Sequence, residues 1–211
     1  MSHHDAVPVP DLRLRLSTSR LLGDASTRGL QRWAVEAMPA DGAEPIGTIS
    51  VLSVDLRECE DPWDALDSSN DDIAHIGDVV FDVNTGQLAE GLASRLHDTG
   101  DRVLVLDRVE LVPAWQGKGV AALLIAETLE LMRTGCRAAL CLPGPLDRGA
   151  EEDYEAGYDE AVRRMTKVWS RVGFRPFAEG VWLLEPRLGT LDETLASLRE
   201  AHGLLPVRQT A

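Results

Sequence analysis

A strand that runs into a helix through two glycines is the feature that most constrains this sequence. Residues 102–112, RVLVLDRVELV, begin β-branched and apolar on both faces, which is typical of a central strand covered on both sides. Gly117 and Gly119 follow, and a helical pattern runs from Val120 to about residue 134. We therefore expect an α/β fold in which this strand and this helix are neighbours.

The start of that helix is expected to bind an anion. Its first N–H groups have no partner within the helix and lie at the positive end of the helix dipole. Gly117 and Gly119 let the backbone approach a ligand closely, and Lys118 adds a positive charge. A phosphate group is the ligand that this arrangement favours.

Two common phosphate motifs fit poorly. The nucleoside-triphosphate loop G-x-x-x-x-G-K-S/T needs a hydroxyl after its lysine, whereas Lys118 is followed by Gly119. The dinucleotide pattern G-x-G-x-x-G/A is matched by Gly117, Gly119 and Ala122, but the next strand ends in CLP without an acidic residue for a ribose. A dinucleotide-dependent enzyme is therefore the less favoured alternative.

The stretch LDRVELVPAWQGKGVAALLIAETL resembles motif A of the Gcn5-related N-acetyltransferase superfamily, R/Q-x-x-G-x-G/A, through Gln116, Gly119 and Ala121. The resemblance continues through RAALCLP to VWSRVGFRPFAEGVWLLEP and covers about residues 100–186. It implies one α/β domain with a mixed, strongly twisted sheet flanked by helices. Residues 1–99 would form an atypical acceptor-side half, 100–186 the acetyl-CoA core, and 187–211 a C-terminal helix and tail.

The resemblance also implies how acetyl-CoA would bind, without a metal. Backbone N–H groups of six consecutive residues would hold the pyrophosphate: Gln116, Gly117, Lys118, Gly119, Val120 and Ala121. The pantetheine arm would run between splayed strands at 105–112 and 137–142. Main-chain groups near Val109 and Leu111 would bind this arm and the acetyl carbonyl.

Proton transfer is where the chain departs from the family pattern. A primary amine arrives protonated, and Asp107 and Glu110 are the candidate bases, three positions apart and so expected on opposite faces of the strand. Trp169 stands where relatives often carry a tyrosine acid, and an indole cannot yield its proton. Ser170 and Tyr158 are weak substitutes. A catalytically silent acyl-CoA-binding or regulatory module is therefore the alternative function.

The remaining pattern predicts the other elements. We expect a first strand at 11–17, a hairpin within 30–56 with Trp33, Val35 and Ala37 on one face, and a helix in the second half of 73–97. A helix at 160–174, a strand at 180–186 and a final helix near 191–202 follow. Residues 57–72 and 143–160 are expected to be acidic loops.

The net charge limits the classes of binding partner that we expect. The sequence has 21 Lys and Arg against 35 Asp and Glu, a net charge of -14, so we expect neither a nucleic acid nor a membrane partner. The expected acceptor is a small-molecule or peptide amine, possibly cationic, and a homodimer is a possible assembly. The sequence has neither a long apolar run nor a secretion signal, which predicts a cytoplasmic location, and its three cysteines are expected to be reduced.

Overall fold

The computed structural model describes residues 12–18, 28–97, 99–144 and 154–204, with side chains from residue 160 onward in the last range. The strands are β1 (Leu12–Thr18), β2 (Leu30–Pro39), β3 (Gly47–Asp55), β4 (Arg102–Leu111), β5 (Cys136–Cys141), β6 (Arg175–Ala178) and β7 (Val181–Leu184). The α-helices are α1 (Pro62–Asp67), α2 (Asp71–Val80), α3 (Glu90–Ala93), α4 (Val120–Met132), α5 (Tyr154–Val172) and α6 (Gly189–Ala201).

All seven strands form one mixed sheet in the order β1-β2-β3-β4-β5-β7-β6. Only the β4 and β5 pair is parallel, and α4 makes the connection between these two strands. The other neighbours are antiparallel. The expected mixed α/β sheet flanked by helices is therefore confirmed.

Strand β4 lies at the centre of the fold, and both of its faces are buried. Leu104 and Leu106 pack in a cluster that includes residues of α4, α5 and α6. Val103 and Val105 pack on the other face in a cluster that includes residues of α1 and α2. This two-sided burial confirms the prediction made from the apolar start of the strand.

The parallel pairing of β4 with β5 stops halfway along β4. The last paired residues are Leu106 and Cys141, whereas β4 continues to Leu111 while paired only with β3. The two strands thus form a fork that opens beyond Leu106.

A β-bulge lies at the mouth of this fork. Ser50 pairs with Arg108 and Val51 pairs with Leu106, so Asp107 is the extra residue on β4. A bulge of this kind re-aims the side chain of the extra residue and shifts the alternation of the strand. Consistently, Leu106 and Val109, three positions apart, both pack on the α4 side.

The C-terminal helix α6 is fixed to α4. Leu191, Leu195 and Leu198 are buried in the same cluster as the apolar residues of α4. Arg199 and Glu127 form an ion pair between the two helices. No helix in the described ranges is long and apolar enough to cross a membrane.

Several expected elements differ from the structure. The acidic segment 57–72 is not a loop throughout, because it contains α1 and the start of α2. The prediction of a helix in the second half of 73–97 was wrong. Helix α2 occupies the first half, and the second half contains only the four residues of α3. Helix α5 starts at Tyr154 rather than near 160, and β6 was not predicted. Residues 145–153 of the second acidic segment lie outside the described residues.

Candidate functional site

The loop between β4 and α4 brings the backbone round to the helix start. A short 3-10 turn, Pro113–Trp115, begins with proline, whose fixed φ suits the first helical position. The Gln116 side chain then donates from Nε2 to the Leu111 carbonyl at 2.8 Å. Gly117 and Gly119 have φ angles of 72° and 78°, which glycine adopts without the steric cost of a Cβ.

The first turn of α4 is not capped by a side chain. Gly119 is the N-cap residue and makes no side-chain cap hydrogen bond. A Cβ placed on Gly117 would meet nothing within 4 Å among the described residues outside its own neighbours. The space beside Gly117 is thus open, whereas Arg171 and His202 lie beside Gly119. The absence of a side-chain cap on α4 is what an anion site requires.

A pocket of about 290 Å³ lies over this helix start, between α4 and α5. Four basic side chains line it: Lys118, Arg164, Lys167 and Arg171. Within the described ranges none of the four forms an ion pair, and Lys118 Nζ lies 5.7 Å from the centre of the Trp115 ring. A strongly positive pocket in a protein of net charge -14 favours a polyanionic ligand.

Only Lys118 of these four was predicted from the sequence. Arg164, Lys167 and Arg171 stand at positions i, i+3 and i+7 of α5 and so share one helix face. That spacing was readable from the sequence, but it is also typical of a solvated helix face. Arg171 lies against the loop, since its Nη1 is 2.9 Å from the point where a Cβ on Gly119 would stand.

The unpaired part of β4 presents backbone groups to the fork. The Val112 N–H donates to the Ile46 carbonyl, on the side of β3, at 2.9 Å. Because the backbone groups of an antiparallel strand point alternately to its two sides, those of Leu111 and Val109 point away from β3. The predicted pantetheine-binding groups thus face the fork, and Leu111 also lines the basic pocket.

Asp107 lies where the fork begins and is held by Asn70. The Asn70 side chain donates from Nδ2 to Asp107 Oδ1 at 3.2 Å. The same amide caps α2, because its Oδ1 accepts from the Ile73 N–H at 3.0 Å. Asp107 also lines a second pocket, of about 420 Å³, beside β1, β2 and β3.

Glu110 is in a different situation. It lies 3.7 Å from Arg108 in an ion pair whose two side chains are each about half exposed. The expectation that Asp107 and Glu110 lie on opposite faces assumed a regular strand, and the bulge at Asp107 breaks that alternation. Asp107 lines the pocket beside β1, β2 and β3, and Glu110 does not line that pocket.

Trp169 belongs to the core. Its side chain is only 3% exposed, and its ring packs edge-on against Phe174 at 5.1 Å between centroids. It does not line the basic pocket. Ser170 is exposed on α5, and the side chain of Tyr158 lies outside the described residues.

Acidic residues of 55–72 have local structural roles. Asp55 Oδ1 accepts from the N–H groups of Arg57 and Glu58, at 2.9 and 3.2 Å. Asp61 caps α1 by accepting from the Asp64 N–H at 3.1 Å. These carboxylates stabilise the turn and the helix that replace the predicted loop.

The three cysteines are free and buried, as expected. Burial raises the pKa of the Cys136 thiol to about 12, and it raises the pKa of Cys141 well above its usual range. Burial also raises the pKa of Cys59. Such thiols are protonated at neutral pH and are poor nucleophiles.

Comparison with known proteins gives structural similarities only. No family profile matches the chain, and no curated protein matches it in sequence. Similar solved structures include AtaTR bound with AcCoA, at 10% identity and a TM-score of 0.43, covering 88% of this chain and 98% of the other. A GNAT family N-acetyltransferase (YhbS) from Escherichia coli in complex with CoA shows 13% identity and a TM-score of 0.40, covering 87% of each chain. The CoA-dependent acyl-homoserine lactone synthase BjaI shows 12% identity and a TM-score of 0.43, covering 83% of this chain and 66% of the other. None of these three reaches a TM-score of 0.5, and none is more than 13% identical to this chain.

Proposed function

We propose that this protein is an acyl-CoA-dependent N-acyltransferase that transfers the acetyl group of acetyl-CoA to a primary amine. One observation carries the proposal: the fork between β4 and β5 adjoins a basic pocket over an uncapped helix start, with Leu111 common to both. A ligand with phosphates at one end and a thin, amide-bearing arm at the other matches this combination.

The phosphate end of coenzyme A suits the basic pocket. The pyrophosphate would accept hydrogen bonds from the N–H groups of residues 117–121, where the open space at Gly117 leaves room for it. The Gln116 N–H, which was predicted to join them, instead donates to the Pro113 carbonyl at 3.2 Å. Lys118 and Arg171 would neutralise its charge from two sides, and Arg164 and Lys167 add further positive charge to the pocket wall.

The arm of coenzyme A suits the fork. Amide groups of pantetheine can pair with main-chain groups of Val109 and Leu111 much as an added strand would. The Gln116 side chain already donates to the Leu111 carbonyl, whose second lone pair remains for the arm. An arm lying here would bring the thioester towards Leu106 and Asp107, where the strands meet.

Bound acetyl-CoA would supply an activated acyl group, and the chain would supply position and a base. The amine nitrogen forms a bond to the acyl carbon, the carbon–sulfur bond breaks, and the sulfur leaves as the thiolate of CoA. The acylated nitrogen then loses its second proton to solvent, which gives the neutral amide. Asp107 accepts the proton that the ammonium must lose before attack. Its hydrogen bond from Asn70 keeps the carboxylate at the mouth of the fork.

No acid is assigned to the departing thiolate. Trp169 is buried and cannot donate a proton. A thiol with a solution pKa of about 8.5 can leave as the thiolate without help from an acid, but at a slower rate. The buried Trp169, which cannot act as an acid, also favours the second candidate function, an acyl-CoA-binding module without turnover.

Ligand binding is the first test. Coenzyme A at about 100 times its Kd should raise the free energy of unfolding by about 2.7 kcal/mol, and NAD should have no effect. Arg164→Gln should weaken coenzyme A binding by about tenfold. Arg163→Gln is the matched control, because Arg163 is exposed beside it and pairs with Glu160 instead. Stabilisation by NAD but not by coenzyme A would show that the proposal is wrong.

Turnover is the second test. Release of free thiol from acetyl-CoA, measured with a panel of primary amines, separates an enzyme from a silent binding module. Amine-dependent release supports the transferase. Tight coenzyme A binding without release for any amine favours the binding module.

A further inference from the structure

A trough on the sheet face opposite α4 carries two charges of opposite sign. Its floor includes three small side chains, Ser17, Ala34 and Ser50, in register on β1, β2 and β3. Arg32 and Asp107 line the same trough, whose volume is about 420 Å³. The small side chains leave room for a ligand above the strands.

Two consecutive residues between α1 and α2 hold these charges. Ser69 Oγ accepts a hydrogen bond from Arg32 Nη2 at 2.7 Å. Asn70 Nδ2 donates to Asp107 Oδ1 at 3.2 Å, and its cap on α2 fixes its own position. The short connection therefore orients both side chains of the trough.

Neither charge is neutralised within the described part of the chain. Arg32 and Asp107 each make the single side-chain hydrogen bond given above, and they form no ion pair with each other or with another described residue. The guanidinium retains four of its five N–H donors, and the carboxylate retains one oxygen. Both groups can therefore contact the same ligand.

We infer that the acceptor is an amino acid or another small amine that also carries a carboxylate; this rests on the proposed acyl transfer. The ammonium end would meet Asp107 at the fork, and the carboxylate would meet Arg32, whose planar group suits it. Strands β2 and β4 are two positions apart in the sheet, about 10 Å. The register places Asp107 two residues further along β4 than Val105, the residue level with Arg32. The two side chains are drawn together because they contact the adjacent residues Ser69 and Asn70.

This inference refines the expected acceptor. A polyamine would place a second positive charge near Arg32, which is unfavourable. Asp55 and Asp61, in and beside the acidic segment 57–72, accept hydrogen bonds from nearby backbone N–H groups and so have structural roles.

Matched acceptor pairs provide the test. Thiol release from acetyl-CoA is measured with tyrosine and tyramine, lysine and cadaverine, and γ-aminobutyrate and butylamine. We expect kcat/KM to be about tenfold or more higher for at least one amino acid than for its partner. Arg32→Gln should abolish that preference by raising KM with little change in kcat, and it should leave coenzyme A affinity unchanged. Arg13→Gln, on an exposed position of β1 outside the trough, should behave as the unmodified protein.

The outcomes separate this inference from the proposed function. If the simple amines react as well as the amino acids, or if Arg32→Gln slows both equally, the carboxylate inference is wrong and acyl transfer stands. If coenzyme A binds but calorimetry detects no binding of the three amino acids, the inference is also wrong. Absence of both coenzyme A binding and thiol release overturns the proposed function and this inference with it.

Discussion

Arg199 and Glu127 form a two-pronged ion pair, with 2.7 Å between Nε and Oε1 and 2.6 Å between Nη2 and Oε2. Both side chains are about four-fifths buried, since their exposed fractions are 22% and 21%. The pair joins α6 to α4 and so supports the helix whose first turn forms the proposed phosphate site.

Removal of this ion pair should reduce stability. Arg199→Ala leaves the Glu127 carboxylate partly buried without its partner, and we expect the free energy of unfolding to fall by about 1–3 kcal/mol. Urea denaturation measures the change. Arg163→Ala removes an exposed pair on α5 and should cost less than about 1 kcal/mol. Equal stability of the two variants would show that the interhelical pair adds nothing.

Gly117→Asn tests the backbone approach to the phosphate. Asparagine tolerates a positive φ better than other side chains, so the fold should persist while the new side chain enters the open space over the helix start. We expect coenzyme A affinity, measured by calorimetry, to fall about tenfold or more, which is about 1.4 kcal/mol.

Gly42→Asn is the control for this glycine. Gly42 has a φ of 77°, and a Cβ there also meets nothing within 4 Å, but it lies in the turn between β2 and β3. Coenzyme A affinity should not change in this variant. A loss of similar size in both variants would attribute the effect to backbone strain rather than to the site.

Asp107→Asn tests the base. It removes the proton acceptor but keeps the size of the side chain, so kcat should fall about 100-fold or more while coenzyme A affinity is retained. Glu110→Gln should change kcat by less than about threefold, because Glu110 is half exposed and paired with Arg108. A large loss for Glu110→Gln with little for Asp107→Asn would reverse the assignment.

The buried thiols should resist modification. A raised pKa keeps a thiol protonated until the pH approaches that pKa, so Cys136 with a pKa of about 12 has almost no thiolate at pH 8. Ellman's reagent should label none of the three cysteines quickly in the folded protein and all three after denaturation. Fast labelling of one thiol at pH 8 would contradict this prediction and would also interfere with the thiol-release assay.

Strands with a clear alternation were predicted from the sequence. Trp33, Val35 and Ala37 were predicted to share one face of β2, and all three pack in one cluster, on the α4 side. Helix α1 was missed although Asp61 and Pro62 form a normal helix start, because the acidic composition suggested a loop. Local sequence patterns thus predicted the strands better than they predicted the short helices.

The candidate site was predictable only where it depends on local sequence. The glycines and Lys118 could be recognised because a strand, a loop and a helix follow one another along the chain. The bulge at Asp107 depends on the register between β3 and β4, and the contact of Asp107 with Asn70 joins residues 37 positions apart. No local pattern contains such pairings.

The adjacency of Ser69 and Asn70 has an evolutionary consequence. One peptide unit, with a fixed Cα spacing of about 3.8 Å, links the residues that orient Arg32 and Asp107. The positions of both charged groups therefore depend on this one short connection. A descendant adapted to a longer molecule would need an insertion in this connection, and such an insertion would move the cap of α2 as well.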